Sequence, residues 1–373
     1  MRVCYVSHYA ELYGANRSLI DSIRYLKSHE IEPIVVFPRD GAAKKALDSI
    51  GVLTRVIPFD VDWYNPNHLK PSVLKFRRTK KRNLEKEAAT KLIAQLAPDI
   101  IHSNSSVFLT GAYAAKSLGI PHIWHLREDM WSHYSRTYDS SSQAKRLFAN
   151  TDVSISTSEY IAQVFKSRGY TSKRGIVLPN PIEHFKLDVK KTSKSLRFGV
   201  VGLFHKRKNQ VFILQALIPL LNSYEMELHF IGSGSKELTR EMNQIVHSNK
   251  LQDRVFFHGF MEDVDEIYSH FDVLINFSEN EGFGRVNIEA FSRKIPVVGL
   301  NSGATPEIVK DQISGLIALK SEVSLRSAVT KFLLDPKLQN KLGENAYDSY
   351  SKIYTPENYV NELNALYLSS IQQ

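Results

Sequence analysis

The stretch Ser278–Leu300, SENEGFGRVNIEAFSRKIPVVGL, contains the change of period that decides the fold. It begins where the apolar run DVLINFS (272–278) ends, and it closes on a second run, PVVGL (296–300). Between them lie a polar loop with Gly282 and Gly284 and a segment from Arg285 with helical spacing. Strand, glycine loop, helix and strand make a βα unit, the building block of parallel sheets. In open parallel sheets, ligands collect at the carboxyl ends of strands, where loops lead into helix N-termini. Glycines there admit backbone N–H groups to a phosphate or sugar with no Cβ in the way, and the helix start favours negative charge. Glu281 and Glu289, with seven residues between them, stand one loop and one turn apart and are expected to project toward one cleft. Carboxylates suit sugar and ribose hydroxyls because they accept paired hydrogen bonds at about 1.5–3 kcal/mol each.

The same alternation of β-branched runs and amphipathic stretches fills the rest of the 373 residues. Before it come RVCYVSH (from Arg2), PIVVFP, LTRVIPF, DIIHSN (from Asp99), PHIWHL (from Pro121), DVSISTS (from Asp152) and GIVLPN (from Gly175). A second set consists of RFGVVGL (197–203), ELHFIG, RVFFHG, DVLINFS, PVVGL and GLIAL. Between the sets, residues 183–195 are polar, Lys-rich and without periodicity, which reads as a linker. The chain is too long for one ordinary core, so two Rossmann-like, doubly wound α/β domains are expected, at 1–182 and 196–345. The remaining 346–373 is expected to be helical, with Pro356 as a helix start and Leu363, Leu366 and Tyr367 as its apolar stripe. Whether it caps its own domain or crosses back to the first stays open.

Two further strand-to-helix junctions stand out. In VVGLFHKRKNQVFILQA, Gly202 precedes His205, Lys206, Arg207 and Lys208, ahead of a helix expected near Asn209. Cations at a helix N-terminus oppose the local dipole, and a bound diphosphate relieves that conflict. In HYAELYGANRSLIDSIRYL, a strand ends at His8 and Gly14 leads into an amphipathic helix. Asp60/Asp62 and Asp263/Asp265 superficially match a metal-binding Asp-x-Asp. The second pair falls where a helix should start, so N-capping accounts for it. No His, Cys and Asp set has metal-ligand spacing, and no metal is expected.

Charge is unevenly shared. Residues 1–180 hold 26 Lys and Arg against 16 Asp and Glu, which leaves 22 against 23 for the rest, so the net +9 lies in the first half. The excess peaks in KPSVLKFRRTKKRNLEKEAATK (70–91), with nine basic and two acidic side chains. Arg77, Arg78, Lys80, Lys81 and Arg82 are read either as a solvated helix face or as a surface for an anionic membrane or acceptor. Aromatic interleaving and any nucleic-acid-binding module are missing, so nucleic acid is not an expected partner. Cys4 stands alone inside the first apolar run, so no intramolecular disulfide forms. The first residues turn polar at Ser7 and His8, too early for a signal peptide. No run approaches the roughly 20 apolar residues of a bilayer span. A cytoplasmic protein is expected, peripheral on the inner face of the plasma membrane if the basic surface binds lipid.

The segment from Glu281 to Glu289 resembles the Glu-x7-Glu motif of family 4 retaining glycosyltransferases, which have the two-domain GT-B architecture. The flanking sequence from HGFMEDVDEIY to PEIVKDQISGLI is similar to that family's second domain over its whole length. The first domain resembles it through YGANRSL, PDIIHSN, HIWHLRED and VLPNPI. The resemblance implies transfer of a sugar from a nucleoside diphosphate, with a family preference for uridine, to a glycan or lipid-linked acceptor. A bacterial surface-polysaccharide pathway fits that pairing. It implies that Glu289 holds the donor ribose, Glu281 the transferred sugar, and the Phe283 and Gly284 amides the sugar and phosphates, at the loop Ser278 opens. It further implies Lys208 at the phosphates, Gly14 and Gly202 as glycine loops approaching the diphosphate, and His125 near the sugar, with Arg127 and Glu128 beside it. His125, Glu281 and Lys208 are the expected catalytic residues. One departure is Leu203, where the family usually has an arginine; either His205, Lys206 or Arg207 replaces that charge, or stabilisation of the leaving group is weaker. Rival readings are a nucleotide-sugar 2-epimerase and a non-catalytic partner subunit of the same fold.

Overall fold

The computed structural model describes residues 1–371 except 13, 27–29, 67–71, 133 and 184–194, with backbone only for 72–76. It divides into two compact units, Met1–Pro181 with Pro356–Gln373, and Ile182–Thr355. The linker expected at 183–195 falls almost entirely outside the described residues.

The first unit is built on seven parallel strands, β1 (Arg2–Val6), β2 (Glu32–Phe37), β3 (Leu53–Val56), β5 (Ile100–Ser103), β6 (His122–Leu126), β8 (Val153–Ser156) and β9 (Arg174–Val177). Their order is β3-β2-β1-β5-β6-β8-β9. Side chains alternate between the two faces of a strand, and in the inner strands both faces are buried. Val3 and Tyr5 enter one core cluster, whereas Cys4 and Val6 enter another. That is why these strands read as continuous apolar runs. Two short strands, β4 (Trp63–Tyr64) and β7 (Thr137–Tyr138), pair antiparallel as a separate ribbon, which the sequence analysis did not expect.

The second unit carries β10 (Leu196–Val201), β11 (Met226–Ile231), β12 (Val255–Gly259), β13 (Val273–Asn276), β14 (Val297–Leu300) and β15 (Gly315–Ala318). The order is β12-β11-β10-β13-β14-β15, again all parallel. Each sheet thus runs outward from its first strand and then reverses, the doubly wound pattern expected from sequence. Gly199 lets the Phe271 ring lie against β10, since a Cβ there would sit 2.1 Å from that ring.

The C-terminal segment is divided differently from the expected 346–373. Helix Pro336–Ile353 stays with the second unit, burying Leu342, Ala346 and Tyr350, and the Tyr350 hydroxyl donates to the Ile182 carbonyl at 3.0 Å. Helix Pro356–Ile371 belongs to the first unit. Its Tyr359, Leu363, Leu366 and Tyr367 join the cluster of Val3, Tyr5 and Ile20, and Tyr367 hydrogen-bonds Tyr5 at 2.8 Å. The break falls at Thr355–Pro356, where proline can begin a helix but not continue one. Among the described residues, no helix is long and apolar enough to cross a membrane.

Candidate functional site

In the second unit the sheet reverses between β10 and β13, which are hydrogen-bonded neighbours (Phe198 opposite Val273, Gly199 opposite Leu274). Loops leaving two such strands turn to opposite faces and open a crevice at their carboxyl ends. The loop after β10 holds the cation cluster, and the loop after β13 holds Glu281.

The two loops are joined. Lys208 Nζ donates to Glu281 Oε2 at 2.7 Å, both side chains being about one-fifth exposed (26% and 15%). The Asn209 side chain makes a second link between the loops, its Nδ2 donating to the Phe277 carbonyl at 2.8 Å and to Glu279 Oε1 at 3.2 Å. Glu279 N–H in turn donates to the Arg207 carbonyl at 3.0 Å. The Lys320 ion pair, first, and then Asn209 hold the Glu279 carboxyl below its usual range. Behind Glu281, Ala304 N–H donates to its carbonyl at 2.8 Å. Gly303, at φ +59°, passes so close that a Cβ would lie 2.5 Å from the Glu281 nitrogen. Ser302 Oγ accepts from Asn280 N–H at 3.0 Å, so Asn209, Ser302 and Gly303 are positioning residues that the sequence analysis missed.

The expected conflict between the cations and a helix dipole does not arise in that form. Lys206–Lys208 make a separate 3-10 turn, and the following helix, Gln210–Ser223, starts only after Asn209 in the left-handed region. His205 caps that turn by accepting from Arg207 N–H at 3.3 Å. Burial, then Arg207 and Lys208, lower the His205 pKa. Leu203 points outward, 60% exposed, at the position expected to hold an arginine. His205 and Lys206 are exposed and Arg207 half-buried, so charge is available within four residues of it.

Three glycines set this loop's path. Gly202 has φ +136° and Gly232 φ +139°; a Cβ on Gly232 would lie 2.0 Å from the Gly202 carbonyl oxygen. Gly232 N–H donates to the Gly259 carbonyl at 2.7 Å. The carboxyl ends of β10, β11 and β12 are thereby locked together under the Lys208 turn.

Glu289 lies on helix Arg285–Phe291, held apart from the lysine pair by its own donors. Arg285 Nε donates to Oε1 at 2.8 Å and the Tyr268 hydroxyl to Oε2 at 2.9 Å. A carboxylate has about four lone-pair sites, so two remain for hydroxyl donors. Ser278 stands just after the end of β13, where the glycine loop was expected to open. It is buried, and its hydroxyl donates to Asn276 Oδ1 at 2.7 Å, which frames the start of the loop. Phe283 likewise turns its ring into the core beside Tyr354. Gly284, at φ +74°, lies over Asn287, whose Oδ1 accepts from Asn276 Nδ2 at 2.9 Å. Among the described residues no acceptor meets the Phe283 or Gly284 N–H groups. Gly282 is half-buried between Glu281 and Phe283.

In the first unit the corresponding reversal lies between β1 and β5. Asn16 ties the loop after β1, accepting from Ser7 Oγ at 2.7 Å and donating to the Tyr9 and Glu11 carbonyls at 2.9 Å each. Asn104 Nδ2, after β5, donates to the Ala15 carbonyl at 3.3 Å. Gly14 opens helix Gly14–Leu26, exposed, with open space where a Cβ would be. Arg127 is buried and donates to Asn104 Oδ1 and Asn180 Oδ1; Glu128 is held by Ser105 and Ser106, and burial raises its pKa. His125 is fully buried, stacked on His102 with centroids 5.7 Å apart, and neither ring nitrogen has a partner among the described residues. Burial, then Arg127 and His102, hold its pKa well below 6.5. At neutral pH His125 is therefore an uncharged hydrogen-bonding group and not an acid.

Four basic residues of the run, Arg78, Lys81, Arg82 and Lys86, are held in ion pairs. Arg78 and Arg82 both pair with buried Asp139, and Lys81 pairs with Asp60 at 3.3 Å and Glu85 at 3.2 Å. Lys86 is buried against Asp62 at 2.6 Å, and Asp62 also accepts from Leu109 N–H. Arg82 is buried and so is not part of a surface; among the expected five, Arg77 and Lys80 are exposed without a paired carboxylate among the described residues. Asp263 caps helix Val264–Ser269, accepting from Asp265 and Glu266 N–H, as its position suggested. Among the described residues, the one group of three side chains able to share a metal is His229, His258 and His270, away from sequence spacing of any kind.

Comparisons with known proteins bear on both units. Residues 13–184 match the model of Glycosyltransferase Family 4, and residues 182–349 match that of Glycosyl transferases group 1. An uncharacterized glycosyltransferase of Methanocaldococcus jannaschii is 24% identical over 90% of this chain and 96% of its own. The N-acetyl-alpha-D-glucosaminyl L-malate synthase of Bacillus anthracis is 26% identical over 45% of this chain, and the match spans 44% of that relative's length. Among solved structures, Anabaena Alr3699/HepE in complex with UDP superposes with TM-score 0.79 at 21% identity, over 99% of this chain and 100% of that one. Sucrose-phosphate synthase from Thermosynechococcus elongatus gives 0.74 at 18% identity, over 99% and 98%.

Proposed function

Because this chain belongs to the family 4 glycosyltransferases and has their GT-B fold, we propose that it transfers a sugar, with retention, from a uridine diphosphate sugar to a glycan or lipid-linked acceptor. The observation that carries this reading is the Lys208–Glu281 pair at the reversal of the second sheet. A nucleoside diphosphate leaves with growing negative charge on its phosphate. Lys208 has three N–H bonds, one of them used on Glu281, and the others supply fixed positive charge where that negative charge develops. The Phe283 and Gly284 amides add neutral donors. Glu281, steadied by Lys208 and by the Ser302–Ala304 turn, accepts from hydroxyls of the transferred sugar. Glu289 accepts from the ribose through the lone pairs that Arg285 and Tyr268 leave. Gly14 contributes an unobstructed approach to the diphosphate. His205, Lys206 or Arg207 stands in for the missing arginine at Leu203.

A uridine donor is supported by the bound UDP, and UDP with glucose, of the Anabaena relative. A surface-glycan role is supported by relatives such as the lipopolysaccharide core biosynthesis mannosyltransferase of Rhizobium leguminosarum, 30% identical over 46% of this chain. A thermal-shift screen of nucleoside diphosphate sugars tests the donor, since a ligand of the native state alone raises its melting temperature. The best donor is then incubated with and without acceptor glycans. Transfer only with an acceptor, and no epimer of the donor, is the expected result. An epimer formed without acceptor, or no stabilisation by any nucleotide sugar, contradicts it.

A further inference from the structure

On the face of the second sheet that carries Ile231 and Phe271, three imidazoles from three elements meet. His229 lies in the middle of β11, His258 near the end of β12, and His270 just after helix Val264–Ser269. Their ligand nitrogens all lie within 4.8 Å of one another. His229 Nδ1 and His258 Nε2 are hydrogen-bonded at 2.9 Å, and the rings of His258 and His270 have centroids 4.1 Å apart. His270 Nε2 is buried without a partner. A buried imidazole nitrogen with nothing to bind is costly, at about 1–3 kcal/mol for an unsatisfied polar group. Two contacts show that the cluster is not assembled by packing alone. His229 Nε2–H donates to Glu227 Oε2 at 3.0 Å, which leaves Nδ1 as the lone-pair nitrogen facing the other rings. Arg197 lies nearby, but its charge is matched by two hydrogen bonds to Asp272, at 3.2 and 3.1 Å, and does not compete for Glu227.

We propose that His229, His258 and His270 bind one divalent transition-metal ion of the zinc class, with Glu227 as the carboxylate that orients His229. Zn²⁺–imidazole bonds of about 2.0–2.1 Å in a tetrahedron put nitrogens about 3.4 Å apart, between the 2.9 Å contact and the 4.8 Å limit found here. A carboxylate accepting from the far nitrogen of a ligating histidine is the usual second layer of such sites. Three imidazoles leave a fourth position for water, and imidazole sets favour Zn²⁺, Cu²⁺ or Ni²⁺ over Mg²⁺ or Ca²⁺. The ion would have three protein ligands, all from the second unit. It ties β11, β12 and the start of β13 together, beside Gly259, whose carbonyl holds Gly232, and two residues from Tyr268, which holds Glu289.

The test uses the full chain without a polyhistidine tag, stripped with a chelator and dialysed against Zn²⁺ or Co²⁺. The wild type and His247→Ala, an exposed histidine outside the cluster, are expected to retain about one equivalent and to melt at a higher temperature with metal. His258→Ala and His270→Ala, both partly exposed, are expected to lose at least a hundredfold in affinity, and Glu227→Gln about 10–100-fold. Circular dichroism of each variant confirms folding. The visible spectrum of the Co²⁺-loaded wild type needs no variant: a four-coordinate ligand-field band supports the site. A spectrum of hexahydrated Co²⁺, or equal metal uptake by all variants, overturns the proposal.

Discussion

Lys208 Nζ and Glu281 Oε2 lie 2.7 Å apart, a contact that spans 73 residues of chain and joins the loops after β10 and β13. The pair sits where the sheet reverses, so the fold itself brings it together: β10 and β13 are neighbours whose following loops diverge. It places a positive charge and the carboxylate proposed to bind the sugar within one hydrogen bond, so a phosphate proposed to bind here would compete with Glu281 for the lysine.

Glu289 is held by Arg285 and Tyr268, so its contribution divides into charge and orientation. Glu289→Gln removes the charge and should raise the donor KM about 10–100-fold, from the 1.5–3 kcal/mol of a charge-assisted hydrogen bond. Tyr268→Phe keeps the charge and removes one orienting donor, and should raise KM by less than tenfold with kcat nearly unchanged. Steady-state kinetics over donor concentration reads both.

Gly232 and Gly259 both have positive φ, yet they should respond differently to alanine. A Cβ on Gly232 meets the Gly202 carbonyl at 2.0 Å, whereas Gly259 has open space around it. Gly259→Ala carries only the left-handed backbone cost of about 1–2 kcal/mol. Gly232→Ala adds a backbone clash under the Lys208 turn and should exceed that by about 2 kcal/mol or more while weakening donor binding. Denaturant midpoints separate the two.

On helix Ser72–Ala94, neighbouring basic residues should differ sharply. Lys86→Ala strands Asp62 in the interior and should cost about 3–5 kcal/mol. Arg77→Ala and Lys80→Ala change exposed side chains and should stay within about 0.5 kcal/mol. Flotation with anionic vesicles reads whether those two exposed cations attract lipid: reduced flotation of the double variant is the expected outcome of the membrane reading.

Acid should destabilise the first unit through its buried imidazoles. Burial pushes His122 and His8 down to about 3, well below an unfolded value of 6.5. The unfolded chain then binds more protons between those values, so stability is full above pH 6.5 and falls as pH drops toward 3. Each such imidazole should lose about 2 kcal/mol between pH 7 and pH 5. Glu128 has a raised pKa and acts in the opposite sense, its contribution fading as pH rises. Denaturant unfolding at pH 5, 6 and 7 should show a positive slope, reduced in His122→Gln.

All thirteen strands of the two main sheets were legible in sequence, the inner ones because a strand buried on both faces must be apolar at successive positions, as Val3–Val6 shows. The junctions at Lys208, Glu281 and Glu289 were legible because glycine and charge are unusual after such runs. What sequence hid depends on distant partners. Ser278 and Phe283 turned inward because Asn276 and the Tyr354 cluster receive them. Arg82 left the surface for Asp139, 57 residues later in the chain. The histidine cluster draws one residue from each of three elements, so no spacing announces it. The β4–β7 ribbon has too few residues to show a period.

The central claim is that the Lys208 turn and the Glu281 loop receive a diphosphate. Calorimetric titration of UDP into wild type, Lys208→Ala and Glu281→Gln tests it most directly. Lys208→Ala should bind UDP at least tenfold more weakly, with kcat reduced about 10²–10³-fold, as expected for loss of one charge-stabilising donor. Glu281→Gln, which frees the lysine but weakens the hold on the sugar, should bind UDP as well as or better than wild type while losing turnover. Unchanged UDP affinity and unchanged turnover in folded Lys208→Ala protein would contradict the account.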